Sequence, residues 1–269
     1  MNSESETVNP MRFAQRRTVA DPARVLILGG TSEALQIAAH LAARSDVMVI
    51  SSLAGRVNQP RLPVGKVRIG GFGGVDGLAS YLKQENIAVV IDATHPFASR
   101  ISRNAEIACQ SAGVPLIPME RPPWQPGERD RWVTVPDLQA AAALVNNQAS
   151  RVFLSIGRQE LGAFSGCSSA WFLVRAIERP DELPPKSKLI LNRGPFHLEA
   201  EIQMLREESI NLLVSKNSGG NATYPKIQAA SELGIPVVMV DRPAKYTVPA
   251  AATPADVLLK LEELLGYPI

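Results

Sequence analysis

The chain alternates short, continuously apolar runs with longer amphipathic stretches. Arg24 to Leu28 reads RVLIL and stops at Gly29-Gly30. Unbroken runs of this length suit parallel strands covered on both faces. Ser32 to Ala43 then places Leu35, Ile37, Ala38 and Leu41 at helical spacing. Further strands are predicted at Val47 to Ile50, Lys66 to Ile69, Ile87 to Ile91 and Val114 to Ile117. Helices fall between them at Gly77 to Glu85 and Phe97 to Ser111. Strand and helix in strict alternation with short turns predict a doubly wound parallel sheet.

Between Pro118 and Pro136 the texture changes to Pro122, Pro123, Trp124, Pro126 and Gly127, which reads as a linker. Alternation resumes with strands at Arg151 to Ile156, Trp171 to Ala176, Lys188 to Leu191, Asn211 to Ser215 and Pro236 to Val240. Helices are expected at Asp137 to Val145, Phe196 to Glu207, Tyr224 to Leu233 and Pro254 to Leu265. The expected architecture is therefore α/β: two Rossmann-like domains, with mainly parallel sheets, facing a central cleft. Residues 24–118 form the first, dinucleotide-binding domain, 119–136 the linker and 137–269 the second, substrate domain. Residues 1–23, polar and without an apolar stretch behind Arg12, Arg16 and Arg17, read as a disordered tail and not as a secretory signal.

Composition narrows the classes. The 269 residues carry a net charge of +2, too little for nucleic-acid binding through bulk charge. No run approaches the roughly 20 apolar residues that span a bilayer. Two cysteines, Cys109 and Cys167, exclude a disulfide scaffold and a cysteine-only zinc site. The three histidines, His40, His95 and His197, are scattered, so no metal site is expected. There is neither a GxSxG elbow nor a Tyr-x-x-x-Lys pair, which argues against an α/β-hydrolase and a short-chain dehydrogenase. A cytoplasmic monomer, without nucleic-acid or membrane partners, is the expected setting.

Ligands of open parallel sheets bind beyond the carboxyl ends of the strands. After the first strand come Gly29, Gly30, Thr31, Ser32 and Glu33. They suit either a phosphate at a helix N-terminus or a plain tight turn, since the third glycine of GxGxxG is missing. After the second strand come Ser51, Ser52, Leu53, Ala54, Gly55 and Arg56. Hydroxyls and an arginine, with no acid, favour a phosphorylated ribose and hence NADPH over NADH, although Arg56 also reads as a solvated surface residue. After the third comes Gly70-Gly71-Phe72-Gly73-Gly74, a loop able to lie flat on a cofactor or planar substrate. Asp92-Ala93-Thr94-His95-Pro96 follows the fourth, with Pro96 at the start of a helix and Thr94 and His95 directed into the cleft. In the second half Gly157-Arg158, Asn192-Arg193-Gly194 and Lys216-Asn217-Ser218-Gly219-Gly220 each follow a strand, with Tyr224 and Lys226 just after the last.

Taken in order, Leu28 to Glu33, Ser52 to Arg56, Gly70 to Gly74, Asp92 to Ala98 and Lys216 to Gly220, with Ile235 to Val240 and Arg242-Pro243, resemble the precorrin-6A reductase family, which includes a cobalt-precorrin-6A form. The resemblance spans about Arg24 to Pro243. It implies two Rossmann-like domains holding a nicotinamide cofactor and a tetrapyrrole, with an exchange of strands between the halves. The implied reaction moves a hydride from NADPH, or NADH, to one double bond of the macrocycle in cobalamin biosynthesis. The cofactor would meet Gly29, Gly30, Thr31, Ser32, Glu33, Ser51, Ser52, Ala54, Gly55, Arg56, Gly71, Phe72, Gly73 and Thr94. A polycarboxylate substrate would draw on His95, Arg100, Arg103, Arg158, Arg193, Lys216, Asn217, Ser218 and Lys226, with Lys216 first and His95 second for proton delivery. Reduction of another small molecule and non-catalytic nucleotide sensing are the competing readings.

Overall fold

In the computed structural model, residues 21–55, 57, 60–147, 151–267 and 269 are described. The first sheet contains β1 (Ala23–Leu28), β2 (Val47–Leu53), β3 (Lys66–Ile69), β4 (Val89–Asp92) and β5 (Leu116–Pro118). All its pairs are parallel, in the order β3-β2-β1-β4-β5. Its strands are apolar at successive positions because both faces are covered. Val25 and Ile27 pack with Ile37 and Leu41 of α1 (Ser32–Ala42). Leu26 and Leu28 point the other way, onto Leu78 and Leu82 of α2 (Gly74–Gln84) and Ala105 and Ala108 of α3 (Ser99–Ala112).

The second sheet contains β6 (Trp132–Val135), β7 (Arg151–Ser155), β8 (Trp171–Ala176), β9 (Ser187–Leu191), β10 (Leu212–Lys216) and β11 (Val237–Val240), all parallel in the order β6-β11-β10-β7-β8-β9. Val152 and Leu154 face α4 (Leu138–Asn146) and a 3-10 helix at Arg158–Phe164. Phe153, Leu173 and Leu213 face α5 (Leu198–Glu207) and α6 (Pro225–Glu232).

Three expectations change. Residues 119–136 are not wholly a linker, because Trp132–Val135 pairs with β11 as an edge strand. The prolines flank the strand, Pro122, Pro123 and Pro126 before it and Pro136 after it, so the ladder within it is intact. The last helix, α7 (Pro254–Leu265), does not belong with the second half. Its Val257 and Leu261 are buried in the first core beside Ile37 and Val89. The chain leaves the first sheet after β5, so the apolar face beside α1 lacks a second helix until α7 returns to cover it. Met119 and Ala251 form a parallel bridge at that point of exchange. The third change concerns α3, which begins at Ser99 and not at Pro96, leaving Thr94 to Ala98 as a turn closed by the Ala98 N–H on the His95 carbonyl at 2.8 Å.

Candidate active site

Each sheet has a point where the strand order reverses and a crevice opens. In the first sheet it lies between β1 and β4, in the second between β7 and β10.

At the first, Thr31 caps α1, accepting from the Ala34 N–H at 3.1 Å and donating to the Ala93 carbonyl at 2.7 Å. One hydroxyl thus ties the two sides of the crevice together. Gly30 has φ +112°, and a Cβ there would meet nothing within 4 Å. The turn therefore presents open backbone at a helix N-terminus. Glu33 and Ser32 share a hydrogen bond, and the Glu33 carboxylate receives Arg121 Nη1 at 2.8 and 2.9 Å. Burial raises the Glu33 pKa, but the Arg121 charge and hydrogen bonds outweigh it and leave a net lowering.

At the end of β4, Asp92 is fully buried. Its Oδ1 accepts the Thr94 N–H at 3.0 Å and hydroxyl at 2.6 Å. His95 Nδ1 accepts the Phe97 N–H at 3.2 Å, which leaves the proton of a neutral ring on Nε2. Burial, then Lys216, Arg121, Lys245 and Arg242, hold its pKa well below the usual histidine range. His95 is therefore suited to donate a hydrogen bond as a neutral ring, not to release a proton as imidazolium.

Ser51 and Ser52 belong to the end of β2 itself and are buried, while Ala54 and Gly55 just beyond it are exposed. Ser51 Oγ has no hydrogen-bond partner in the structure. Arg56 lies outside the described residues. A cation that strand-end reading missed is Arg68, on β3 opposite Ser52 in the ladder. Its guanidinium donates to Ser52 Oγ at 3.2 Å and to the Gly70 and Gly71 carbonyls at 2.6 Å each, and stacks 3.7 Å from the Phe72 ring centroid. It sits inside a strand, before the loop and not after it, so only the parallel register reveals it. The loop itself is pinned from below. A Cβ on Gly77 would lie 1.8 Å from the Phe72 carbonyl oxygen, so only glycine lets α2 approach so closely. Gly71 and Gly73 remain exposed above.

The second crevice differs. Glu160 Oε2 accepts the Gly157 N–H at 3.0 Å and Lys216 Nζ at 2.6 Å, so a carboxylate occupies the turn where a phosphate would rest. Lys216 Nζ also stands 4.8 Å from the ring of Phe97, a residue of the first lobe. The Asn217 side chain is consumed by Trp124, accepting its N–H at 2.8 Å and donating to its carbonyl at 3.1 Å. Ser218 gives its carbonyl to Arg121 Nε at 2.8 Å. Gly219 and Gly220 serve this crossing: a Cβ on Gly219 would lie 2.2 Å from the Pro122 carbonyl oxygen.

The remaining expected residues disperse. Arg100 and Arg103 are exposed on α3, and Arg158 pairs with Glu178 at 3.3 Å. Arg193 is half-buried, its N–H on the Asn192 side chain. Lys226 is only 3% exposed; its Nζ donates to the Thr223 carbonyl at 2.9 Å beneath Trp124, so it offers no surface to a ligand. Burial drives its pKa down to about 7. Unfolded, the amine stays protonated to about 10.4, so the unfolded chain binds the extra proton between those values. Stability should accordingly rise with pH across that window, by up to about 1.4 kcal/mol per unit, and Lys226→Met should flatten the rise in urea titrations.

Among the described residues no three His, Cys, Asp or Glu side chains gather as metal ligands, and no helix is long and apolar enough to cross a membrane. Two parallel sheets, with an open glycine turn at the crevice of the first and a carboxylate-filled turn at that of the second, define a two-lobed protein of the Rossmann type. Residues 24–262 match the family model described as precorrin-6x reductase CbiJ/CobK. A precorrin-6A reductase of Rhodococcus erythropolis is 50% identical over 235 residues, 87% of this chain and 94% of that protein. One from Mycobacterium tuberculosis is 47% identical over the same length, 87% and 93% of the two chains. A solved structure titled CobK precorrin-6A reductase superposes with a TM-score of 0.86 at 42% identity, covering 91% of this chain and 98% of its own. The chain belongs to the precorrin-6x reductase family, and it is an oxidoreductase.

Proposed function

We propose that this enzyme reduces precorrin-6A, taking hydride from NADPH held on the first lobe. The observation that carries the reading is the asymmetry of the two crevices. Gly30 leaves its turn open, whereas Glu160 fills the equivalent turn of the second lobe. The cofactor, when bound, supplies the hydride. Gly29 to Glu33 would hold its phosphates, and Ser51, Ser52 and the Gly71 to Gly73 loop its ribose side. Thr94 would lie at the wall between them. Arg68, with Arg56 from its place in the sequence, offers positive charge for a ribose phosphate.

The space bounded by Thr31, Glu33, Thr94, Pro96, Met119, Glu120 and Arg121 is only about 10 Å³. The Arg121–Glu33 pair lines it, so a ligand group entering there would have to part that pair. Arg121, released, becomes a cation for a substrate carboxylate. Hydride transfer needs no side-chain nucleophile; it needs two planar groups held together and shielded from water. Lys216 stands on the opposite wall, where its ammonium can balance the charge that develops on the macrocycle.

The decisive test mixes purified enzyme, NADPH and precorrin-6A and follows absorbance at the nicotinamide band, with a deuterated cofactor to trace the label. Oxidation only when the tetrapyrrole is present, with deuterium in the product, is expected. Cofactor binding without oxidation would favour nucleotide sensing instead. Arg68→Ala is expected to lower the preference for NADPH over NADH about ten-fold, read from the two kcat/KM values. Equal losses with both coenzymes would leave Arg68 only the task of shaping its loop.

A further inference from the structure

The segment between β11 and α7 carries the chain from the second sheet back to the first, and it does more than connect. Lys245 is 6% exposed, and its Nζ lies 3.4 Å from the Thr94 carbonyl, 3.2 Å from Thr94 Oγ1 and 3.3 Å from the His95 carbonyl. The Thr94 hydroxyl spends its single proton on Asp92 Oδ1, so toward Lys245 it acts only as an acceptor. The next residue, Tyr246, donates its hydroxyl to the Asp92 carbonyl at 3.4 Å, and Thr247 bonds Glu106 of α3 through its hydroxyl and N–H. Lys245 thus meets the turn that presents His95, while Tyr246 and Thr247 fasten the same segment to the end of β4 and to α3.

Resting on the reading that the two facing crevices form the reaction site, we propose that Lys245 is a positioning residue, whose ammonium clamps the Thr94–His95 turn and fixes the His95 ring on the cleft wall. The geometry favours positioning over contact. A buried ammonium with three oxygen partners has no free donor to offer a substrate. Its charge also acts on the ring it holds. His95 is faced by Lys216 from β10, Arg121 from beyond β5, and Arg242 and Lys245 from beyond β11. Of these, Lys216 is paired with Glu160, Arg121 with Glu33 and Arg242 with Glu120, whereas Lys245 bonds neutral oxygens, with the Asp92 and Glu120 carboxylates acting on its charge from further off. After burial, Lys216 and Arg121, the positive charge of Lys245 adds to what keeps the imidazole neutral, with the proton on Nε2.

Nuclear magnetic resonance of ring-labelled histidine tests this without turnover, with His40 and His197 as internal references. In the wild-type enzyme His95 should be neutral at pH 6. In Lys245→Met its titration should move upward while the references hold, and Lys245→Arg should restore it. In turnover assays Lys245→Met should lose about ten- to a hundred-fold in kcat with little change in KM for the coenzyme, again recovered by arginine. A charged His95 at pH 6 in the wild type, or an unmoved titration in a folded Lys245→Met, overturns the proposal. If the methionine variant does not fold, Lys245→Gln, which keeps donors but not charge, gives the same readout. His95→Ala with unimpaired turnover would instead remove His95 from the reaction and leave the clamp to be judged by resonance alone.

Discussion

Glu201→Ala is expected to destabilise the enzyme by about 3–5 kcal/mol in urea unfolding, the largest loss from any single polar replacement. Glu201 on α5 meets Arg175 on β8, Oε2 to Nη2 at 2.8 Å, with 4% and 5% of the two side chains exposed. The guanidinium is stacked between Phe153 and Phe196, 4.7 and 4.1 Å from their centroids. Its Nη1 already lacks a hydrogen-bond partner, and the Arg175 charge disfavours protonation of the nearby buried Lys226. Removing the carboxylate leaves this guanidinium buried with no counter-charge. Replacing both members, as Arg175→Met with Glu201→Leu, should cost far less, since neither charge then needs solvation. A loss below about 1 kcal/mol for Glu201→Ala would mean that water reaches the arginine and that the pair is not the closed unit described.

The second large effect is expected on turnover. Lys216→Met should lower kcat about a hundred-fold, near 2.7 kcal/mol of barrier, while the dissociation constant for NADPH changes little. The substitution keeps the apolar stem, while the ammonium, its approach to the Phe97 ring and its proton are lost. Fluorescence titration gives the coenzyme affinity, and single-turnover absorbance gives the rate. Equal losses in both would remove Lys216 from the chemistry and make it a scaffold of the second lobe. Because Glu160 closes the Gly157 turn directly and also holds Lys216, Glu160→Gln should loosen that turn without abolishing turnover. That contrast separates the lysine's charge from its role in the loop.

Much of the site follows from local pattern. A strand end followed by glycine and a hydroxyl marks a helix N-terminus, and Gly29 to Thr31 behaves as such, with Thr31 as cap. Thr94 and His95 were legible for the same reason, because a side chain just beyond a strand is placed at the crevice by sheet geometry alone. Arg68, Arg121 and Lys245 were not. Arg68 precedes its loop and meets Ser52 only through parallel register, and Arg121 hides in a proline-rich stretch. Lys245 reaches Thr94 only because the chain crosses between lobes. Lys226 misled for the converse reason: position after a strand does not say which way a side chain turns.

By itself the sequence determined the two parallel sheets, since apolar runs at strand spacing can be buried only between two layers of helix. It also determined which glycine turns and cations stand at strand ends. Tertiary structure alone decided that Trp132–Val135 completes the second sheet, that α7 seals the first core, and that one cradle is open while its counterpart is filled. The reason is range. Burial and turn chemistry act among neighbours along the chain, whereas the contacts of Arg121 with Ser218 and of Lys245 with His95 join residues separated by 97 and 150 positions. Such partners are selected by the packing of both lobes together.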